Sequence, residues 1–157
     1  MAVDQNFLRV KKYFLLIFFL LFASKSYSNN YTLTKIIELD DPWGSSFINK
    51  DEIIVTEKSG KIKIINVNSK KILEVKHNLN FLNVGQGGLL DIIHQNNNLW
   101  ISYSEDRGNK KTSTSIAKAK LDKKELNFEN IFQANPPINS GYHFGSRLAI
   151  KGNYLFA

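Results

Sequence analysis

Two segments of this chain carry residues whose types and spacing suit chemistry. One is Gly141-Tyr142-His143-Phe144-Gly145-Ser146-Arg147; the other is Gly85-Gln86-Gly87-Gly88-Leu89-Leu90-Asp91. A histidine on a loop between glycines suits a general base, because its pKa lies near working pH. It equally suits a plain polar surface position, which is the commoner fate of a lone loop histidine. Arg147 is placed either to orient an anion or to pair with a neighbouring carboxylate. Gln86 sits among glycines that open backbone conformations closed to other residues and let a ligand approach closely. A tight connection between structural units needs the same glycines, and spacing alone does not separate the two readings. The loop is no phosphate cradle, since no Lys-Ser/Thr follows and no helix begins there. His94 ends an apolar strand and reads as structural, whereas His77 lies in a polar connection and reads as surface. Trp43, in Asp41-Pro42-Trp43-Gly44, is either a rim aromatic or core.

The elements that must hold these residues are short strands. Glu52–Thr56, Lys61–Val67 and Lys71–Val75 form one group, and Leu89–His94, Leu99–Ser104, Thr112–Leu121 and Leu126–Gln133 a second. Alternation in Lys61-Ile62-Lys63-Ile64 has the period of a half-buried strand. No segment offers an amphipathic helix of normal length, so the class is all-β. A repeat runs through it. With Gly44, Gly88 and Gly145 in register, intervals of 44 and 57 residues separate equivalent points. Each glycine leads a hairpin, and the hairpins after Gly44 and Gly145 align without a gap. The intervals suit a unit of about four strands, close to propeller blades of ~40–50 residues; a two-sheet sandwich is the alternative. Pro42, Gln86 and His143 stand two residues before the register glycines. In a propeller those positions share one rim, so Gln86 and His143 are expected to converge.

Composition bounds the rest. Arg9, Lys11 and Lys12 precede an apolar run from Tyr13 to Ala23, followed by Ser24, Ser26 and Ser28. That order is a secretory signal over residues 1–28, and the run is too short for a membrane anchor. The chain's 21 basic and 14 acidic residues fall to 17 and 13 once Arg9, Lys11, Lys12, Lys25 and Asp4 are set aside. The remaining lysines scatter through turns without interleaved aromatics, which argues against a nucleic-acid surface. With no cysteine, stability has to come from core burial rather than disulfides, and no Cys/His cluster exists for zinc. Residues 29–157 are then the N-terminal part of a larger domain. Tyr154-Leu155-Phe156-Ala157 reads as an apolar strand in mid-course, and truncation is the expectation.

Five strings occur in order: Pro42-Trp43-Gly44, Val55-Thr56-Glu57, Gly85–Asp91, Ser102-Tyr103-Ser104 and His143–Leu148. Together they resemble the glucose/sorbosone dehydrogenase family, which includes soluble quinoprotein aldose sugar dehydrogenases of the bacterial periplasm. The resemblance implies a β-propeller, six-bladed when complete, with about two blades and the start of a third here. It implies pyrroloquinoline quinone as cofactor and calcium, whose ligands would come from later blades, leaving no metal ligand in this chain. By motif matching His143 corresponds to the family's general base, and Gln86 to the glutamine beside substrate and cofactor. Arg147 is the accompanying candidate for binding.

The implied reaction is oxidation of the anomeric CH–OH of an aldose in the periplasm, with electrons passed to an external acceptor. The glucose-oxidising members carry an aspartate just before the histidine, where this chain has Tyr142, so the resemblance does not extend to glucose specificity or to the tuning of the histidine. A non-catalytic carbohydrate- or protein-binding propeller is the alternative, and two blades alone would be inactive even if the parent is an enzyme.

Overall fold

Alternating isoleucine and lysine make one face of a strand apolar and the other wet. Ile62 and Ile64 are accordingly buried, but Lys63 between them is turned onto the buried Glu57 with only 14% of its side chain exposed, and Ile65 beyond it is buried too. The computed structural model describes residues 31–145 and 147–157, so the leader expected over residues 1–28 lies outside the described residues. Residues 35–157 make one unit, and every regular element described is a strand.

The first sheet is an antiparallel meander of β1 (Pro42–Phe47), β2 (Glu52–Glu57), β3 (Ile62–Asn66) and β4 (Ile72–His77). The second begins with β5 (Leu89–Gln95), β6 (Asn98–Asp106) and β7 (Thr112–Lys120). Asn96 and Asn97 turn β5 into β6 with φ of 49° and 60°, the left-handed pair that matches strand twist in a two-residue hairpin. Neither sheet closes on itself, and β1 to β4 and β5 to β7 neighbour one another in sequence order.

One expected strand is really two. The stretch 126–133 divides into β8 (Glu125–Leu126) and β9 (Glu129–Gln133). Strand β9 completes the second sheet beside β7, while β8 reaches back to lie parallel to β4 in the first. Asn78 makes the detour possible. Its side-chain amide donates to the Phe128 carbonyl at 3.0 Å and accepts from the Phe128 N–H at 2.8 Å. A side chain thus supplies the partners that a buried backbone requires. Lys123 adds an ion pair to Glu52 at 2.7 Å. The core spans both sheets: Ile54, Ile62, Ile64 and Val75 meet Leu89, Ile92, Leu99 and Ile101, with Leu126 and Phe128 closing the cluster. Each of these aliphatic side chains contributes about 1.5–3 kcal/mol by leaving water.

After β9 a third hairpin forms from β10 (Ala149–Lys151) and β11 (Tyr154–Phe156). Its register corrects the gapless alignment drawn from sequence. Lys151 pairs with Tyr154 around Gly152-Asn153, whereas in the first hairpin Phe47 pairs with Ile53 around the longer turn of residues 48–52. Equal spacing in sequence is therefore not equal pairing in space.

A second repeat is real in three dimensions. The Gly44 N–H donates to Thr56 Oγ1 at 3.0 Å, and the Gly88 N–H donates to Ser104 Oγ at 2.6 Å. Each hydroxyl then donates onward, Thr56 to the Leu90 carbonyl at 2.5 Å and Ser104 to the Leu82 carbonyl at 2.6 Å. The Thr56 bond joins β2 of the first sheet to β5 of the second. Replacing Thr56 by valine keeps the shape and strands both partners in a fully buried position. We expect a loss of about 1–3 kcal/mol, read from the urea unfolding midpoint; an unchanged midpoint would show that the hydroxyl does not tie the sheets.

Candidate functional site

The glycines of residues 85–88 are required by the protein's own atoms. A Cβ on Gly85 would meet the Gly141 carbonyl oxygen at 2.4 Å, and one on Gly88 would meet the Lys58 carbonyl oxygen at 2.0 Å. A Cβ on Gly87 would press on Ser104 Oγ at 2.7 Å and the Phe144 ring at 3.0 Å. Of the two readings left open by sequence, tight connection accounts for these glycines. Gln86, exposed between them, is the residue left to face outward.

The loop carrying His143 is built directly onto this turn. The Gln86 N–H donates to the Gly141 carbonyl at 2.7 Å, and the His143 N–H donates to Gln86 Oε1 at 3.0 Å. Thr114 Oγ1 donates to the Phe144 carbonyl at 2.7 Å, and Thr112 Oγ1 to that of Ser140 at 3.2 Å. Gln86 and His143, 57 residues apart in sequence, are therefore neighbours. His143 itself sits at φ 64°, a left-handed conformation that side chains with a Cβ avoid and that costs on the order of 1–3 kcal/mol. Its imidazole is exposed, with the Tyr142 ring 6.4 Å away and also exposed.

Arg147 is engaged by a carboxylate. Its Nη1 lies 3.0 Å from Asp91 Oδ1, and the Leu148 N–H donates to Asp91 Oδ2 at 2.8 Å. Asp91 is buried, and its N–H in turn donates to Ser102 Oγ at 3.0 Å. One buried carboxylate thus fixes the chain just beyond the histidine loop, and Arg147 lies over it with most of its side chain in solvent. Trp43, 40 % exposed, sits at an edge rather than in the core. His77 corrects its expectation as a surface residue. Its Nε2 meets the Gly60 carbonyl at 2.8 Å and its Nδ1 accepts from the Leu79 N–H at 3.2 Å, so both ring nitrogens serve structure. Tyr103 offers no base: burial, followed by the charge of Glu105, pushes its phenol up to about 12. Among the described residues no three His, Cys, Asp or Glu side chains are grouped to hold a metal ion.

Charged residues behind the site were missed by sequence reasoning, which took the lysines for solvated turns. Lys58 Nζ donates to the Gly85 carbonyl at 3.0 Å and pairs with Asp41 at 3.3 Å, linking the start of the first sheet to the glycine turn. Glu57 is fully buried, holding the Lys63 ammonium at 2.6 Å and the Asp40 N–H at 2.8 Å through Oε1. Burial pushes its carboxyl up, but these two hydrogen bonds and the charges of Lys63 and Lys61 outweigh burial and hold it below the ordinary carboxylate range. The signal in sequence was the pairing of each β2 or β6 hydroxyl with a following glutamate, Thr56-Glu57 and Ser104-Glu105.

Residues 39–157 match the family model described as Glucose / Sorbosone dehydrogenase. Among curated proteins the chain is 29% identical over 129 residues to the aldose sugar dehydrogenase YliI of Escherichia coli (strain K12), covering 76% of this chain and 35% of that protein. The soluble aldose sugar dehydrogenase structure from Escherichia coli, in its apo form, superposes with a TM-score of 0.66 at 27% identity, over 71% of this chain and 35% of that one. A PQQ-bound aldose sugar dehydrogenase from Streptomyces coelicolor shares the fold, with a TM-score of 0.65 at 17% identity over 75% and 37% of the two chains. The chain spans about a third of the length of the curated relatives it matches, 35% and 30%.

The Glu57 pair makes stability pH-dependent. Because its folded pKa is depressed, the contribution is fully present above the unfolded value of about 4.5 and is lost as pH falls through the folded value. Unfolding midpoints measured from pH 7 downward should therefore drop below about pH 4.5, and Glu57→Gln should lower the plateau and flatten that acid limb. An acid limb as steep in the variant as in the parent would remove Glu57 from the account.

Proposed function

The chain belongs to the glucose/sorbosone dehydrogenase family, and from that premise we propose that the whole protein is an exported oxidoreductase acting on an aldose. The observation that carries this reading is the exposed His143 imidazole beside the Gln86 amide, both held by a shared hydrogen-bonded turn. In this reading the two sheets are successive blades of a propeller, the hairpin opens a third, and the His143 end faces the central funnel. The fold and the family support that placement.

The donor set suits a polar quinone in part. Gln86 Nε2 offers N–H donors to carbonyl or carboxylate oxygens, while the Lys58 ammonium is already bound to Gly85 and Asp41. Pyrroloquinoline quinone, when bound, supplies the acceptance of hydride; calcium and the remaining contacts are proposed to come from outside these residues. The chain's own part is proton removal and orientation. A neutral imidazole of His143 takes the proton from the anomeric O–H as the C–H electron pair leaves with its hydrogen, and the C–OH becomes C=O. Gln86 orients the reacting face from beside it. An external acceptor then removes the two electrons. The exposed ring of Tyr142 suits stacking against a sugar face, and it stands where glucose-oxidising relatives carry a carboxylate, so we propose an aldose other than glucose. The site of action would be the periplasm, reached through the leader over residues 1–28.

The whole protein, supplied with pyrroloquinoline quinone, calcium, a panel of aldoses and an artificial electron acceptor, should reduce the acceptor. His143→Ala should lower kcat by about 10²–10⁴-fold, the usual worth of a positioned base, while quinone binding followed by absorbance stays intact. Full activity in that variant would sink the base assignment. Failure of the parent to bind the quinone at all would favour a propeller that binds carbohydrate or protein without catalysis.

A further inference from the structure

We infer that Gln86 is a positioning residue for His143, acting through the backbone of the histidine loop as well as facing the site. This rests on the reading of His143 as the base. A side-chain amide has two ends of opposite character, and here they are divided. The oxygen is committed inward, because only Oε1 can accept from the His143 N–H at 3.0 Å. The nitrogen, with two N–H donors, meets no acceptor among the described residues and is free for a ligand.

The need for such a holder follows from the backbone. His143 lies at φ 64° between Gly141 and Gly145, where nothing intrinsic to a histidine keeps it. Gly145 is left-handed as well, at φ 59°, a conformation that glycine adopts freely, so the strain falls on His143. Other contacts fixing this stretch run from the Gln86 N–H to Gly141, from the Tyr142 N–H to Ser140 Oγ and from Thr114 to Phe144. At the histidine's own peptide the recorded bond is the one to Gln86 Oε1. A residue held in a sparsely populated conformation needs surroundings that over-determine it, and Gln86 supplies two of those bonds from one position. Substituting it therefore changes where the imidazole stands, besides removing a donor to ligand.

The two roles separate experimentally. The whole protein, labelled with ¹⁵N-histidine, reports the His143 amide directly, while His77 and His94 report the sheets. In Gln86→Leu the His143 amide resonance should lose its hydrogen-bonded shift, and kcat should fall about 10²-fold, as expected for a misplacement near 1 Å. In Gln86→Glu, which retains an acceptor oxygen, the resonance should keep its shift and part of kcat should return. A His143 amide resonance unmoved in Gln86→Leu overturns the inference. A moved resonance with undiminished kcat leaves the positioning intact and instead overturns the reading of His143 as the base. Should Gln86→Leu also disturb His77 and His94, Gln86→Asn, which withdraws the carbonyl by one methylene, takes its place with the same two outcomes.

Discussion

Where the first sheet meets the start of β5, two stretches of backbone approach more closely than a Cβ permits, and the rest of the structure is arranged around that approach. A Cβ on Gly44 would lie 2.6 Å from the Leu90 carbonyl oxygen, and one on Gly88 only 2.0 Å from that of Lys58. Such closeness leaves no room for water, so every polar group there needs a partner from the protein. The hydroxyls of Thr56 and Ser104 meet that demand in the same way, accepting from the glycine N–H and donating to a neighbouring carbonyl. Glycine supplies the space and hydroxyl the hydrogen bonds; neither works without the other.

Site geometry is a consequence of this contact. Because β5 starts hard against Lys58, the residues just before it must turn outward, and Gln86 is carried to the edge. The Gly141 loop then closes on Gly85, and the chain leaving it is caught by Asp91, a buried carboxylate on β5 itself. Gln86 and Asp91 therefore hold the two ends of the same loop from opposite ends of one short segment. Their spacing is what places His143. Arg147 belongs to the second of these anchors, where it neutralises a carboxylate that would be costly to bury alone. Its exposure leaves it free for further contacts at the edge.

Much of this could be read from residues alone, for identifiable reasons. Strand period is a local property, so Ile62-Lys63-Ile64 declared itself, whereas the polar separator expected over residues 95–98 narrows in the structure to a two-residue turn at Asn96-Asn97. The convergence of Gln86 and His143 was legible because both precede a register glycine, and equivalent points of a repeat share an edge. What stayed hidden depends on contacts between distant residues. Nothing in residues 126–133 announces that Asn78 will take the place of a strand beside Phe128 and divert β8 to the other sheet. His77 looked superficial because its acceptor, the Gly60 carbonyl, comes from another turn. Arg147 had its correct partner among the candidates, but the choice between an anion and a carboxylate needed the position of Asp91.

The distribution of polarity gives the arrangement its sense. Groups that face outward at this edge, the Gln86 amide nitrogen, the His143 imidazole and the Tyr142 ring, lie on loops with little apolar burial of their own. Groups that hold them, Asp91, Thr56 and Ser104, are buried and bonded on the sheets. Burying polar groups lowers stability unless each is matched, and a matched network is rigid because any movement breaks bonds that water cannot replace. Placing that network behind the loops gives an exposed imidazole a defined position without enclosing it. A left-handed histidine backbone is tolerable under the same logic. Its local cost is modest beside the bonds that would be lost if the loop relaxed, so the strained conformation persists where a flexible loop would abandon it.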